Sequence, residues 1–468
     1  MALDAHQALR EFRGGGGRGR EPQQCRGGES AQRRSGVDMG AGRDRGLNGG
    51  RGSRPRVSVL VRAVITGAVA LGAVLGVAPS AAAEEGLAVE SQNRYVVEDA
   101  GVWATTTLTI GNTSPDQYLT DSVVSFYWDE FGLPVPAGTQ NVQATSEGVS
   151  LQVRIEPTED PSTAIAVASF RPLDYGQSRT IEWSYTIPGA PFRAADWTRV
   201  GPGFATFAAQ GVGDPGKVGV AVVVPASMTF HSTGSFAQRR EGDAVTYTAT
   251  ENTDEYGIWA AVSARDPDRA DERAVEFGDS TLQLVSLPGD TAWTDFASER
   301  VTAGLPVLED IIGVPWPGGV DKIREDVSPQ VLGQAWFDHT ADEIVVAEDL
   351  DEATLFHELT HAWLNPDRLQ ERWLYEGLTE VVAYRAVKAL GGTSEPRPEP
   401  DRAAPSALAL NAWNEPTGKP DAAVDDYAYA AASNAVGQLV GGLGDDTFTA
   451  LVVAAYAGES AYEPVGSV

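Results

Sequence analysis

Two histidines and a glutamate in one short segment are the residues of this sequence best suited to metal chemistry. The run His357-Glu358-Leu359-Thr360-His361 places the histidines four positions apart. A helix would aim both rings from one face, with Glu358 beside them as a base. Because the chain has only five histidines in 468 residues, this spacing is rarely reached by accident. The run predicts a hydrolytic zinc site; the alternative is a polar helix with two solvated histidines.

Glu376 is the predicted third metal ligand, since a catalytic zinc usually keeps three protein ligands and one open position. Apolar residues at helical spacing predict helices on both sides of Asn365-Pro366-Asp367, which is expected to end the first helix. Two antiparallel helices would then bring Glu376 to the histidines. Glu380 follows one turn later and is predicted to accept the free ring N–H of a ligating histidine, or else to be a solvated helix charge.

The segment Trp373-Leu374-Tyr375-Glu376-Gly377, placed after the two-histidine run, resembles the gluzincin metallopeptidases. The similarity is to the aminopeptidase N-like branch of the peptidase MA-like superfamily. It implies one Zn²⁺ per chain, held by His357, His361 and Glu376, with Glu358 as the general base. It also implies a peptide or protein substrate.

The resemblance continues downstream, where Tyr429-Ala430-Ala431-Ala432 is followed by Leu439, Gly444 and Phe448. This order is similar to the family's pattern of a tyrosine that opens a helix ending at Leu-Gly and an aromatic residue. It implies that Tyr429 donates a hydrogen bond to the developing oxyanion; Tyr427 is the alternative donor, and packing alone is the alternative role.

Three features depart from the family pattern. The loop between the two metal-binding segments is short, and Leu332-Gly333-Gln334-Ala335-Trp336-Phe337 occupies the place of the Gly-x-Met-Glu-Asn segment that anchors a free substrate N-terminus. Endopeptidase and aminopeptidase specificity therefore both stay open. The chain also stops at Val468, where relatives continue with more helices, which indicates either a compact form or a C-terminally short chain.

The charge of the chain is strongly asymmetric. Residues 1–83 contain 13 arginines against 6 acidic residues, and removing their +7 from the overall −30 leaves −37 on the rest. Such acidity argues against nucleic-acid or anionic-membrane partners. The only cysteine, Cys25, precedes the body of the chain, which excludes disulfides and cysteine ligation there.

The first part of the chain is predicted to be a leader followed by an export signal. Residues 1–55 are rich in Gly and Arg and are expected to be disordered, or not translated if synthesis starts at Met39. A basic flank, an apolar run and an Ala-Ala-Ala end predict a secretory signal over residues 56–83. The alternative is a retained anchor over residues 57–79. Both a cleaved signal and a retained anchor would place the chain after residue 83 outside the cytoplasm, either secreted or membrane-anchored.

The remaining chain predicts an α+β protein with β structure first. Short alternating runs predict a β-sandwich-like domain over residues 84–190 and a second β region over residues 191–270. The polar segment 265–272 is the predicted linker. Residues 275–468 are predicted to form a mixed α/β domain, and the resemblance implies that it is a thermolysin-like zincin domain.

Within that domain, a strand at Leu282–Ser286, a helix from about Trp293 to Ile312 and an edge strand at Glu343–Ala347 beside the cleft are expected. The segment 391–420 is expected to be a surface excursion near the cleft. His339 is expected to be a loop residue rather than a ligand.

Two functions follow from these features. The first is an exported zinc metallopeptidase that hydrolyses peptide bonds with a metal-activated water, Glu358 acting as the base. The second is an exported β-rich binding or scaffold protein that carries an inactive zincin-like domain.

Overall fold

The computed structural model describes residues 56–60, 86–118, 123–158, 160, 162–250, 257–328, 331, 335–338, 341–414 and 421–458. Within these residues the chain is a mixed α/β structure with 22 strands and five α-helices. The predicted leader, most of the predicted signal segment, Leu332–Gln334 and His339 lie outside them, and the predictions about those residues stay predictions. Of the signal segment only Arg56–Leu60 is described, as a strand.

The first seventeen strands of the described chain lie between Arg56 and Arg265. They are numbered in chain order: β1 Arg56–Leu60, β2 Leu87–Glu98, β3 Gly101–Asn112, β4 Gln117–Tyr118, β5 Val123–Pro136, β6 Gln140–Ser146, β7 Val149–Ser150, β8 Gln152–Pro157, β9 Thr163–Leu173, β10 Ser178–Ile187, β11 Arg199–Gly201, β12 Phe204–Val212, β13 Val218–Pro225, β14 Thr229–Ser232, β15 Ala237–Glu241, β16 Ala244–Ala249 and β17 Gly257–Arg265.

These strands form three sheets. The largest has the order β15-β16-β13-β2-β3-β10-β6-β7, the second has the order β1-β5-β9-β8 with β4 beside β5, and the third has the order β11-β12-β17-β14. The largest sheet takes strands from both predicted β regions, joined where β13 pairs in parallel with β2. One hydrophobic core includes residues from both regions.

Alternation of side chains explains how this β half is packed. In β3, Val102, Ala104, Leu108 and Ile110 are buried, whereas Trp103 points outward and is 42% exposed. Successive side chains of a strand point to opposite faces, so one apolar face of the strand packs on the core. The alternating runs predicted from the sequence are therefore present as strands.

The last part of the chain forms one sheet and five helices. Its strands and helices are β18 Asp271–Phe277, β19 Ser280–Ser286, β20 Lys322–Asp326, β21 Ala335–Asp338, β22 Glu343–Ala347, α1 Thr291–Ile312, α2 Glu352–Thr360, α3 Arg372–Ala389, α4 Ala422–Val440 and α5 Asp445–Tyr456. A short 3₁₀ helix, Pro267–Arg269, lies in the middle of the predicted linker 265–272, whose ends belong to β17 and β18. A second core, separate from that of the β half, starts at Val275.

The expectation that Glu343–Ala347 is an edge strand is wrong. This strand, β22, pairs in parallel with β20 and antiparallel with β21, and all five of its residues are buried. A strand with partners on both sides has no free edge to offer a peptide. The edge on that side of the sheet, whose order is β18-β19-β20-β22-β21, is β21.

Helix α2 is shorter than the sequence predicts. Asp351 caps it by accepting from the backbone N–H of Ala353, but it ends at Thr360 rather than at Asn365. The side chain of Asn365 donates to the carbonyl of His361, so a turn satisfies a carbonyl at the helix end. His361 keeps helical dihedral angles (φ −63°, ψ −17°), so the predicted relation of the two histidines survives the early end.

The prediction that Tyr429 opens a helix is also wrong. Helix α4 begins at Ala422, where Asp421 caps it, and Tyr429 lies two turns inside. Phe448 belongs to the next helix, α5. The helix includes the residues before Tyr429 because Ala is the strongest helix former and four alanines lie between Asp421 and Ala431.

Helix α3 packs against α1, α2 and α4. Its approach to α4 requires Gly377, since a Cβ there would lie 2.5 Å from Val436 Cγ2 and 2.9 Å from the Ala432 carbonyl oxygen. Close packing at this glycine places α3 between the helices that carry the other site residues.

Among the described residues, no helix combines the length and the apolar character needed to cross a bilayer.

Candidate metal centre

Helices α2 and α3 bring three buried side chains together. The Nε2 atoms of His357 and His361 lie 3.2 Å apart, and Glu376 Oε2 lies 3.1 Å from the first and 3.5 Å from the second. All three residues are buried. The two histidines come from one end of α2 and the glutamate from the first turns of α3, so the side chains meet where the two helices pack.

The other ring nitrogens of the two histidines already have partners. His357 Nδ1 donates to Glu380 Oε2 at 2.9 Å, and His361 Nδ1 donates to the carbonyl oxygen of Leu364 at 2.9 Å. A carboxylate and a carbonyl oxygen can only accept, so each Nδ1 carries a proton, and in the neutral form of each ring Nε2 presents a lone pair. Two nitrogen lone pairs and a carboxylate oxygen therefore converge on one point.

The geometry of these three atoms fits a zinc ion. Zinc–nitrogen and zinc–oxygen bonds of about 2.0–2.2 Å at tetrahedral angles place ligand atoms roughly 3.3–3.5 Å apart. The separations of 3.1, 3.2 and 3.5 Å lie close to that range. His357, His361 and Glu376 are the described residues that meet the spacing required of metal ligands.

Glu380 is held by three donors. In addition to His357, the hydroxyl of Tyr384 donates to its Oε1 at 2.6 Å and Arg397 Nε at 2.8 Å. Burial raises the pKa of this carboxyl group, but the hydrogen bond from His357 and the charge of Arg397 outweigh it and lower the pKa to about 2. Glu380 is thus an ionised carboxylate within the protein, and not a solvated helix charge.

The charges around the histidines favour a cation. Burial opposes ionisation of Glu376, yet the two histidines lower its pKa well below the usual range. Burial also opposes protonation of His357, but the hydrogen bonds with Glu376 and Glu380 raise its pKa to about 10. Buried anionic groups beside imidazoles attract positive charge, which a proton or a metal ion can supply.

Glu358 differs from the other carboxylates of the group. It is buried on α2, between the two histidines in the sequence, and no hydrogen bond from a described residue contributes to its pKa shift. Burial raises the pKa of Glu358 above its ordinary value, while the neighbouring histidines act in the opposite direction. A carboxylate with a raised pKa and no fixed donor is suited to accept and return a proton.

Tyr429 reaches the same cluster from α4. Its hydroxyl lies 3.4 Å from Glu376 Oε1 and accepts from Arg372 Nη2 at 3.3 Å. Burial and the charge of Glu376 raise the pKa of this phenol, so it stays protonated. Tyr427 is two positions earlier on the same helix, and residues so spaced face different directions.

Three residues of the cluster are not among those that the sequence predicts. Tyr384 stands one helical turn after Glu380 and Arg372 one turn before Glu376, so helical spacing was a usable signal for both. Arg397 lies in the segment 391–414, and no local sequence pattern places it next to Glu380. That segment was expected near the cleft, and it reaches the site through the bond from Arg397 to Glu380.

Comparisons with known proteins find likeness only among solved structures. No family model matches the chain, and no curated protein matches it. An M1 zinc metallopeptidase from Deinococcus radiodurans matches with 19% identity and a TM-score of 0.32, covering 80% of this chain and 87% of the other. A mutant of that enzyme bound to a Tyr-Ser-Ala substrate matches with the same identity and coverage and a TM-score of 0.31. Similarity this low does not assign a family.

Proposed function

We propose that this protein is a zinc-dependent peptidase of the gluzincin type with a thermolysin-like catalytic domain. One observation supports it most directly: both histidine Nε2 atoms and Glu376 Oε2 converge within 3.1–3.5 Å, while both Nδ1 atoms are occupied by acceptors. In the proposal, His357, His361 and Glu376 hold one zinc ion. When bound, zinc lowers the pKa of a coordinated water and polarises a carbonyl oxygen.

The remaining roles belong to side chains next to this group. Glu358 takes a proton from water and passes it to the leaving amine, for which its burial and its lack of fixed donors are suited. Tyr429 donates its single hydroxyl hydrogen to Glu376 Oε1 before substrate binds, and in the proposal it turns this hydrogen to the oxyanion that develops on the substrate. Glu380 holds His357 in the Nδ1–H tautomer.

The alternative, a β-rich binding protein with an inactive catalytic domain, is less well supported. Loss of function commonly removes a ligand or the base, whereas all four groups are here buried together. In both functions, we propose export by residues 56–83, with residues 84–190 as a β-sandwich-like domain, 191–270 as a second β region and 275–468 as the catalytic domain.

The test is metal content and peptide cleavage of the full-length protein, with and without a chelator, for the wild type and Glu358→Gln. The expected result is one zinc per chain in both proteins and chelator-sensitive cleavage that falls roughly 100- to 10,000-fold in the variant. Glu299→Gln, a surface substitution on α1, is the matched control and should cleave normally.

Three outcomes would contradict the proposal in different ways. Zinc without cleavage of any peptide in a library would favour the binding protein. Full activity of Glu358→Gln would remove Glu358 from its role. A chain without zinc would overturn the ligand set itself. Cleavage of N-terminally blocked peptides would indicate an endopeptidase.

A further inference from the structure

Arg372 occupies an unusual position next to the candidate metal centre. Its Nη1 donates to Asp425 Oδ1 and to the carbonyl oxygen of Asn414, both at 3.3 Å, and its guanidinium carbon lies 4.2 Å from the centre of the Trp413 ring. Trp413 Nε1 in turn donates to the same Asp425 oxygen at 2.8 Å. The guanidinium is thus stacked on an aromatic face and fixed by hydrogen bonds.

From this position Arg372 also contacts the hydroxyl group of Tyr429. Arg372 Nη2 lies 3.3 Å from that hydroxyl oxygen, and arginine can only donate. The Tyr429 oxygen is therefore the acceptor in this contact, and its own hydrogen must point elsewhere. The acceptor on its other side is Glu376 Oε1, at 3.4 Å.

The two carboxylate oxygens of Glu376 have different partners. Oε2 faces the histidine Nε2 atoms, whereas Oε1 faces Tyr429, with Arg372 Nε 4.0 Å away. A carboxylate held at one oxygen presents the other in a defined direction. Outer hydrogen bonds of this kind orient metal ligands and raise metal affinity.

We propose that Arg372 is a positioning residue that acts through Tyr429: it directs the Tyr429 hydroxyl hydrogen toward Glu376 and the metal position beside it. The inference rests on the proposed function, since it assumes that Glu376 is a metal ligand. It adds a residue that lies outside the metal-binding motif, one helical turn before Glu376. Arg372 Nε lies 4.0 Å from Glu376 Oε1, beyond hydrogen-bond reach, whereas Arg372 Nη2 donates to the Tyr429 hydroxyl at 3.3 Å.

The test is a double-mutant cycle with Arg372→Met, Tyr429→Phe and the double variant, made in the full-length protein. Zinc affinity, measured by competition with a coloured chelator, is the readout that does not depend on activity; kcat is the second. Each single variant is expected to bind zinc about 10-fold more weakly. Because the two residues act in series, the double variant should also lose about 10-fold, not the 100-fold of independent effects.

Chemical rescue separates this role from simple packing. Millimolar guanidinium chloride should restore zinc affinity to Arg372→Ala but not to Arg372→Ala combined with Tyr429→Phe, with sodium chloride at equal ionic strength as the reference. Arg385→Met is the matched control, because Arg385 lies on the same helix and stacks 3.9 Å from the Phe448 ring, away from the metal centre. It should leave zinc affinity and kcat unchanged.

Losses that multiply in the double variant, a wild-type zinc affinity in Arg372→Met, or equal rescue in the absence of the Tyr429 hydroxyl would each overturn the inference. If Arg372→Met does not fold, the rescue of Arg372→Ala in its folded fraction decides the question. A protein that binds zinc but cleaves nothing would contradict the proposed function, and the affinity cycle would still test Arg372.

Discussion

Glu380 Oε2 accepts a hydrogen bond from Nδ1 of His357 at 2.9 Å, although the two residues are 23 positions apart and on different helices. This contact decides which ring nitrogen of His357 carries a proton. It leaves Nε2 of His357 directed at Nε2 of His361 and at Oε2 of Glu376. The arrangement of the candidate metal ligands on α2 therefore depends on Glu380, a residue of α3 outside that ligand group.

Replacing Glu380 by alanine should weaken zinc binding about 10- to 100-fold, because His357 loses the acceptor that orients its ring. Zinc affinity from chelator competition, measured together with the melting temperature, checks this. Glu399→Ala, which removes a carboxylate paired with Arg402 on the exposed segment, is the control and should bind zinc normally. An unchanged affinity in Glu380→Ala would show that the ring of His357 is oriented by other contacts.

Removing the metal should destabilise the folded protein. A ligand that binds only the folded state at 100 times its dissociation constant adds about 2.7 kcal/mol to the free energy of unfolding. A chelator should therefore lower the melting temperature of the zinc-loaded wild type. The same chelator should have no effect on His361→Ala, which lacks one ligand. Equal shifts in both proteins would mean that the chelator acts elsewhere.

The buried pair Glu325 and Asp290 predicts a pH-dependent stability. Glu325 on β20 is fully buried, its Oε2 accepts from the Leu287 backbone N–H at 2.8 Å, and among the described residues no donor reaches its Oε1. Burial, followed by the contact with Asp290, raises the pKa of Glu325 well above its usual 4.5. Asp290 instead keeps its charge through two hydrogen bonds from Arg193, at 2.6 and 2.7 Å.

The sign of the effect follows from linkage. Between the unfolded pKa near 4.5 and the raised folded pKa, the folded state holds a proton that the unfolded state has released. The free energy of unfolding therefore falls as pH rises through this window.

Glu325→Gln should abolish this decrease in the free energy of unfolding with pH, because the amide stays neutral and can donate to Asp290. The variant should have a higher melting temperature than the wild type at pH 8 and a similar one near pH 4. Thermal unfolding from pH 4 to 9 measures this, with the exposed Glu272→Gln on β18 as control. A variant less stable than the wild type at pH 8 would contradict a raised pKa of Glu325 in the folded protein.

Two glycines on neighbouring helices should respond oppositely to alanine. At Gly377 a Cβ would meet Val436 and the Ala432 carbonyl, so Gly377→Ala should cost about 1–3 kcal/mol and push α3 from α4. At Gly437 on α4 a Cβ meets nothing within 4 Å, so Gly437→Ala should stabilise by roughly 0.5–1 kcal/mol.

Denaturant unfolding measures both glycine variants. Gly377→Ala should also weaken zinc binding, because Gly377 adjoins Glu376 and shares its helix. Two variants of equal stability would contradict the close helix contact.

Much of the local structure was predictable because it depends on residues near one another in sequence. The alternating strands of the β half, the strand β22 and the helices α1 and α3 follow from periodicity, which reports the buried face of each element. The histidines at positions 357 and 361 face one way because four residues complete about one helical turn.

The boundaries of the elements depended on contacts outside them. Helix α2 ends early because the side chain of Asn365 satisfies the carbonyl of His361. Helix α4 extends past Tyr429 toward Asp421, which caps it. The pairing of β21 with β22 was not predictable, because the sequence of a strand does not encode which strands lie next to it in the sheet.

The sequence alone determined the chemical types at the candidate site and two of its distances, since the spacing of His357 and His361 and of Glu376 and Glu380 is set by the helical repeat. Tertiary structure decided which of these residues meet across helices and which residues support them. Arg397 joins Glu380 from 17 positions away, and Tyr429 joins Glu376 from 53. Such contacts depend on how α3 packs against α4 and on the course of residues 391–414, neither of which any local pattern encodes.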